Sequence, residues 1–251
     1  MKAGLLGVLF YSIAGLLSLN AQEITGEELL EKAIAYHDPN GVWEDFQAAF
    51  VVQMTTPDRP VRTSSIQMDF SKQLFDLAVE RGEVNYRYSI SPENCAIYFN
   101  GETEFSDEVK EQYRLNCDRG SMMKDYYTYL YGLPMKLKDP GTIVDPKVTK
   151  KRFKGKRYLV LKVSYDQEVG KDTWYFYFDP KTYAMEVYQF YHDESKNDGE
   201  YILLSGLEDI NGIQMPKKRD WYYNSNDKFL GSDLLIPNEG VITSGKNSSR
   251  P

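Results

Sequence analysis

Hydrophobic and polar residues alternate with a period of two along most of this chain, which is the pattern of half-buried β-strands. The alternation occurs in short segments separated by turn-forming residues, in one group before residue 100 and another after residue 146. It predicts about 11–12 strands, and the segments are 46–56, 61–70, 73–80, 84–91, 94–99, 147–153, 157–165, 172–178, 184–192, 200–209, 213–223 and 228–235. Because the strands within each group follow one another without intervening helices, we expect antiparallel pairing.

The spacing of apolar residues becomes helical in the segment before the first strand. Thr25 is a good helix N-cap, and Glu28 three residues later completes a capping box. Ile24 and Leu29 are placed to pack against each other across this start as a hydrophobic staple. Apolar residues then fall on one face as far as the turn at Asp38, so the sequence predicts one N-terminal helix.

A second helical region interrupts the strands at 106–133. Ser106 begins a short polar helix, and a second helical segment runs from Met122 to Tyr131 and stops at Gly132. The order of elements predicts a mainly β fold of the α+β class. We expect a single, strongly curved antiparallel sheet, with the N-terminal helix and the two-helix insertion covering one face.

Residues 1–21 have the layout of a secretory signal peptide. Lys2 supplies a positive charge, an apolar run follows as far as Leu19, and the small residue Ala21 precedes a polar segment. The alternative is an uncleaved membrane anchor, which needs about 20 apolar residues. We expect cleavage after Ala21 and a periplasmic or secreted protein with no transmembrane segment. No lipid anchor is expected, because no Cys lies at the cleavage point. The tail, 237–251, reads as flexible.

Charge and cysteine content narrow the range of functions. The formal net charge is −7, and an acidic chain repels phosphate backbones, which argues against nucleic-acid binding. Cys95 and Cys117 are predicted to form a disulfide in an oxidising compartment, worth about 3 kcal/mol, with two buried free thiols as the alternative. With only two histidines and two cysteines, we expect neither a transition-metal site nor a cofactor.

The sequence lacks the motifs of common catalytic sites. It contains no Gly-x-Ser-x-Gly, no glycine-rich phosphate loop and no His-Glu-x-x-His. The triplet His192-Asp193-Glu194 ends a predicted strand and leads into a polar turn, so we interpret it as a solvated loop. His37 ends the first helix, where a cation would interact favourably with the helix dipole. We therefore predict a non-enzymatic protein.

Apolar and aromatic residues exceed what one buried sheet face needs. Segments 174–178 and 187–191 are apolar on both faces, whereas a sheet with one solvated face alternates more cleanly. The second helix of the insertion carries Met and Tyr around more than one stripe, which suits either a core or the cover of an adaptable apolar cavity. The predicted ligand-binding residues of this cavity and its helical lid are Met122, Met123, Tyr126, Tyr127, Leu130, Trp174, Phe176 and Phe178.

Several motifs resemble those of the LolA-like group of envelope proteins, and more closely those of a poorly characterised family of secreted proteins assigned to that fold. They lie at 178–187, which contains an Asp-x-x-Thr turn, at the Asn-Gly hairpin 211–216, at 129–134 and at 36–39. The resemblance implies one domain at 22–236, an unclosed β-barrel whose apolar concave side is covered by helices. In the carrier that names the group, that cavity holds the acyl chains of lipoproteins.

We therefore predict a soluble periplasmic binding or carrier-type protein that holds a lipid, an acylated protein or another apolar ligand on the concave face of the sheet. Its expected partners are that apolar ligand or lipoprotein acyl chains, and an envelope protein. One alternative is a non-catalytic module that binds an envelope polymer or protein through tyrosines on the outer face. A hydrolase built on carboxylates is a third hypothesis.

Overall fold

A single antiparallel sheet dominates the protein in a computed structural model that describes residues 23–238. Its strands are β1 (Gln47–Thr56), β2 (Arg59–Asp69), β3 (Leu74–Arg81), β4 (Val84–Ile90), β5 (Cys95–Phe99), β6 (Thr142–Val144), β7 (Thr149–Phe153), β8 (Lys156–Tyr165), β9 (Thr173–Phe178), β10 (Met185–Tyr191), β11 (Glu200–Ile210), β12 (Ile213–Tyr223) and β13 (Phe229–Pro237). The predicted signal peptide, 1–21, lies outside the described residues, as does the predicted tail beyond residue 238.

The strand order is β5-β4-β3-β2-β1-β13-β12-β11-β10-β9-β8-β6, with β7 also paired to β8. The two ends of this order do not pair with each other, so the barrel is open and the predicted fold class is confirmed. All pairings join strands that follow each other in the chain, except that β1 pairs with β13 and β6 pairs with β8. The consecutive strands β5 and β6, and β6 and β7, are not paired. The pairing of β1 with β13 joins strands from the two ends of the described chain, with Met54 opposite Asp233.

Three α-helices lie in the described part of the chain: α1 (Gly26–His37), α2 (Asp107–Tyr113) and α3 (Cys117–Gly132). The predicted capping box is present at the start of α1. The backbone N–H of Thr25 donates to the Glu28 carboxylate at 2.8 Å, and the backbone N–H of Glu28 donates to Thr25 Oγ1 at 3.2 Å. None of these helices is both long and apolar enough to cross a lipid bilayer.

Two elements differ from the sequence prediction. Helix α3 begins at Cys117 rather than Met122, because the Asn116 side chain accepts the backbone N–H of Arg119 at 2.8 Å and caps the helix. The first turn is polar, so apolar periodicity did not reveal it. Strand β6 was not predicted, because its three residues are too few to show alternation.

His37 corrects another sequence interpretation. The side chain is fully buried, and its Nε2 accepts the backbone N–H of Met185 at 3.0 Å while its Nδ1 donates to the carbonyl of Gln214 at 2.6 Å. A ring nitrogen that accepts a hydrogen bond carries no proton, so His37 is neutral. Burial lowers its pKa below the usual value. His37 therefore ties α1 to β10 and β12 and is not a cation at the helix end.

The sheet curves strongly enough for strands from both of its halves to contact α3. The Tyr127 hydroxyl donates to Ser64 Oγ on β2 at 2.8 Å. On the same helix, the Tyr129 hydroxyl forms a hydrogen bond with the Tyr165 hydroxyl on β8. Because β2 and β8 lie towards opposite ends of the strand order, one helix can reach both only if the sheet bends around it.

Both faces of the sheet are apolar over β8 to β10, as the sequence predicts. Inward-facing Leu161 and Phe176 belong to the main core under the helices. Outward-facing Val160 and Tyr177 belong to a second, smaller cluster. Phe153, at the end of β7, packs against Tyr177 with ring centroids 5.1 Å apart and so covers part of that outer cluster.

A disulfide joins Cys95 on β5 to Cys117, the first residue of α3, which confirms the predicted pair. The Cα atoms are 6.1 Å apart, within the usual range for a disulfide. One turn later, Gly120 allows the helix to approach the Tyr88 ring on β4 closely, since an added Cβ would lie 2.9 Å from that ring. The start of α3 is thus fixed against one end of the sheet.

Candidate functional site

A cavity of about 590 Å³ lies between α3 and the inward-facing side of the strands from β9 through β13 to β1. This volume falls within the range of about 300–1,000 Å³ typical of small-molecule sites. The lining residues are Met54, Thr56, Tyr126, Tyr129, Leu130, Asp172, Trp174, Phe190, His192, Glu200, Trp221, Leu230, Gly231, Ser232 and Asp233. The cavity is therefore largely apolar, with a few polar side chains.

Aromatic rings form much of the cavity wall. Trp174 and Phe190 are opposite each other on β9 and β10, and their ring centroids are 4.8 Å apart. Tyr129 of α3 packs edge-on against Trp174 at 5.6 Å, which links the helix to this pair. Tyr126 and Trp221 supply two further rings of the lining. These rings offer both apolar contact area and negatively polarised faces.

One end of the cavity carries three ionisable side chains, Asp172, His192 and Glu200. Nδ1 of His192 lies 2.7 Å from Oδ1 of Asp172, and this hydrogen bond raises the pKa of His192. Glu200 is half-buried, and burial raises its pKa although His192 opposes the shift. The His192 side chain is 62% exposed, so this end of the cavity meets solvent. We call these three residues the rim.

Asp233 is a fourth ionisable residue of the lining, and only 3% of it is exposed. Its Oδ2 accepts the indole N–H of Trp221 at 3.1 Å, whereas its Oδ1 has no hydrogen-bond partner within residues 23–238. Burial raises the pKa of this carboxyl, and the nearby cations Arg219 and Arg62 oppose that shift. A buried acceptor without a partner is costly, which makes Asp233 unusual in this wall.

A buried arginine holds α3 over the cavity. Arg219 lies on β12, directly opposite Asp233 on β13, and is only 1% exposed. Its guanidinium carbon lies 3.9 Å from the centroid of the Tyr131 ring, and its Nη2 donates to the carbonyl of Leu130 at 3.4 Å. Leu130 and Tyr131 both belong to α3, so one cation stabilises the end of the helix against the sheet by stacking and hydrogen bonding.

The structure brings three of the eight predicted ligand-binding residues into the lining: Tyr126, Leu130 and Trp174. Four others are buried in the surrounding core, each at most 7% exposed, namely Met123, Tyr127, Phe176 and Phe178. Met122 is 47% exposed. The predicted helix and strand therefore both line the cavity, but through only some of the residues named.

Sequence reasoning missed most of the rest of the lining. Met54 continues the inward positions of β1 after Phe50 and Val52, yet it is only partly buried because the cavity lies beside it. Periodicity assigns a side chain to a face but does not distinguish core from cavity. The rim could have been anticipated from the sequence. Asp172 directly precedes β9 and His192 directly follows β10, and both of these strands carry aromatic residues.

The rim is not a metal centre of recognisable form. Within residues 23–238, no group of three or more His, Cys, Asp or Glu side chains is arranged to hold a metal ion. Asp172 and His192 instead contact each other directly. The chemistry available here is hydrogen bonding and charge attraction.

The sequence profile of a family of unknown function (DUF6503) matches residues 7–238. A search of curated proteins found no significant match. Among solved structures, the chain is similar to a DUF1329 family protein from Desulfovibrio piger, with a TM-score of 0.50, 9% identity, and coverage of 87% of this chain and 95% of that chain.

Two further solved structures are similar to this chain. A LolA superfamily protein from Nitrosomonas europaea matches with a TM-score of 0.46, 10% identity, and coverage of 86% of this chain and 95% of that one. A domain of an outer membrane lipoprotein-sorting protein from Vibrio parahaemolyticus matches with a TM-score of 0.45 and 10% identity. The match covers 85% of this chain and 92% of that one. At 9–10% identity these similarities are similarities of fold, the level at which the chain resembles the LolA-like group.

Proposed function

The chain belongs to the DUF6503 family of unknown function, and we propose that it is a non-enzymatic binding or carrier-type protein. It holds a lipid, an acylated protein or another apolar ligand in the cavity between α3 and the sheet. The observation that carries this proposal is the cavity itself, about 590 Å³ with a predominantly apolar and aromatic lining. Space of this kind inside a well-packed protein is a default binding-site hypothesis.

The energetics of the cavity suit an alkyl chain. Each buried methylene contributes roughly 0.8 kcal/mol to binding, and the wall offers apolar contacts from α3 and from strands on both sides of the β1–β13 pairing. We propose that Tyr126, Leu130 and Trp174 contact the ligand directly. Met123, Tyr127, Phe176 and Phe178 would form the packed layer behind it, and the exposed Met122 would meet ligand only at entry.

The cellular setting of this proposal comes from the sequence. Residues 1–21 would direct export and be removed, and the predicted flexible tail would follow the domain after β13, which ends at Pro237. The mature protein would then work in the periplasm or outside the cell without a lipid anchor. An envelope protein would load or receive the ligand, and nucleic acid would not be a partner because the chain is acidic.

The first test is native mass spectrometry of the mature protein purified without detergent, before and after solvent extraction. We expect an additional mass that extraction removes. We also expect the neutral fluorescent probe N-phenyl-1-naphthylamine to bind the extracted protein with enhanced emission. An unliganded mass together with no probe binding would contradict the proposal and favour the polymer- or protein-binding alternative.

A pair of variants tests whether the cavity holds the ligand. Met54→Trp fills part of the cavity from β1, and the loss of burial for about two methylenes would weaken probe binding about tenfold. Gln53→Trp places the same side chain at the adjacent position, which faces the other side of the sheet, and should bind as the wild type does. Equal binding by both variants would show that the probe occupies some other surface.

A further inference from the structure

Three of the four acidic or basic residues of the cavity lining are carboxylic acids. They are Asp172, Glu200 and Asp233, the fourth residue is His192, and no Lys or Arg is among the lining residues in the described part of the chain. A cavity intended for the carboxylate or phosphate of an anionic amphiphile would be expected to offer a cation or several N–H donors. This lining offers the opposite charge.

The rim carboxylates lie next to the stacked aromatic pair. Asp172 is two residues before Trp174 on the β9 segment, and Glu200 is directly opposite Phe190 in the pairing of β10 with β11. Side chains two residues apart on a strand share a face. The His192 ring also lies 5.4 Å from the Phe190 ring, which places the third rim residue at the same point.

Two carboxylates of the lining keep unused capacity to accept hydrogen bonds. Glu200 is half-buried, and no hydrogen bond or ion pair from residues 23–238 engages its carboxylate; its interaction with His192 is electrostatic. Asp233 is only 3% exposed, and its Oδ1 lacks a hydrogen-bond partner in that range of residues, although the charges of Arg219 and Arg62 act on the carboxyl. Such groups are costly to leave unpaired, so a ligand that brings donors or positive charge would stabilise the site.

We propose that the cavity selects amphiphiles with a positively charged head group, an amine or a quaternary ammonium. The head group lies at the rim, between the Trp174–Phe190 pair and the carboxylates of Asp172 and Glu200, and the alkyl chain extends under α3. Aromatic faces attract such cations through their quadrupoles, and the carboxylates add charge attraction. An anionic head group meets repulsion at the same place.

This inference rests on the proposed function, and the test separates the two. Decyltrimethylammonium, decanoate and decyl maltoside carry the same alkyl chain with cationic, anionic and neutral heads. Each competes with N-phenyl-1-naphthylamine for the full mature protein at about pH 8, where protonation of His192 is reduced. We expect the cation to displace the probe at about tenfold lower concentration than decanoate, with the neutral compound between them.

A matched pair of variants assigns the preference to the rim. Glu200→Gln keeps the shape of the side chain and removes its charge, and it should reduce the ratio of cation to anion affinity several-fold. Glu83→Gln, in the exposed turn between β3 and β4, removes the same charge at a residue that does not line the cavity. It should retain the wild-type ratio.

Each outcome decides one proposal. Binding of the neutral probe with equal affinity for cation and anion, or with tighter binding of decanoate, overturns the head-group inference and leaves the carrier function intact. An unchanged ratio in Glu200→Gln overturns the placement of the cation at the rim. Failure of the neutral probe to bind the wild-type protein, together with an unliganded mass, overturns the proposed function and the inference with it.

Discussion

At the scale of single residues, several buried polar side chains connect elements that hydrophobic packing alone would leave free to slide. His37 links α1 to β10 and β12 through two hydrogen bonds, and Arg219 links β12 to α3 through Tyr131 and Leu130. Hydrogen bonds have fixed directions, whereas apolar contacts do not. These residues therefore help to specify the position of each helix on the sheet.

His37 predicts how stability depends on pH. Because burial lowers its pKa in the folded state, the unfolded chain binds a proton more readily between that value and the ordinary value of 6.5. The stabilisation is complete above pH 6.5 and is lost as pH falls towards the folded pKa, at about 1.4 kcal/mol for each unit of lowering. Urea unfolding at about pH 7.5 and about pH 5 should show a larger loss for the wild type than for His37→Gln.

His192 provides a control of opposite sign. Its hydrogen bond to Asp172 raises its pKa in the folded state, so its contribution is present below the unfolded pKa and is lost as pH rises through the folded pKa. His192→Gln should therefore lose slightly more stability on acidification than the wild type does. Identical pH dependence for the wild type and His37→Gln would show that the buried ring is not responsible.

At the scale of elements, α3 depends on small residues where it passes close to other structures. The sequence places Gly132 at the end of this helix, and the structure agrees. Packing also requires a glycine at this position, because an added Cβ would overlap the indole ring of Trp43 and lie 2.7 Å from Lys136 Cγ. Gly132 thus allows the helix end to lie against the short 3₁₀ segment that precedes β1.

Gly132→Ala should destabilise the protein by about 1–3 kcal/mol through overpacking against Trp43. Alanine is the better helix former by about 1 kcal/mol, so intrinsic propensity alone predicts the opposite sign. Ser121→Ala, at an exposed position of the same helix, should be neutral or slightly stabilising. Urea midpoints measure both. A Gly132→Ala variant at least as stable as the wild type would show that the Trp43 ring moves aside at little cost.

Prediction from sequence succeeded for elements whose own residues carry the signal. The capping box of Thr25 and Glu28 is a local pattern, and it located the start of α1. The start of α3 depends on Asn116 followed by a polar turn, which looks the same as a loop until tertiary packing selects the helix. Trp174 and Tyr126 were identified because aromatic excess is visible in the sequence, whereas Met54 and Leu230 resemble ordinary strand residues.

At the scale of the whole molecule, the disulfide joins the insertion to one end of the sheet. Cys95 and Cys117 are 22 positions apart in the sequence, and closing a loop of that length in the unfolded chain stabilises the folded state by about 3 kcal/mol. The double variant Cys95→Ser/Cys117→Ser should lose about that free energy of unfolding. Reduced wild-type protein should behave similarly, and reducing agent should leave the double variant unchanged. Equal urea midpoints for oxidised and reduced wild type would contradict this.

The overall class of fold could be predicted because antiparallel strands of neighbouring sequence leave a repeated local pattern. The contact between β1 and β13 could not, because period-two alternation is the same whichever strand lies alongside. The cavity depends on that contact, since Met54 and Asp233 are opposite each other across it and both line the cavity. Its position is therefore a product of long-range pairing.

The same contact has a consequence for the order in which this protein can be assembled. When the N-terminal part of the chain is synthesised first, strands β1 to β5 can pair with one another early. One edge of β1 then stays unpaired until β13, which ends at Pro237, becomes available. Contacts between residues so far apart in sequence form late and slowly. Before that moment the cavity lacks the part of its wall that β13 supplies, so under the proposed function a ligand could be held only after β13 has paired. A truncation that removes β13 would expose one edge of β1 and one edge of β12. Because exposed strand edges promote aggregation, we expect such a protein to aggregate.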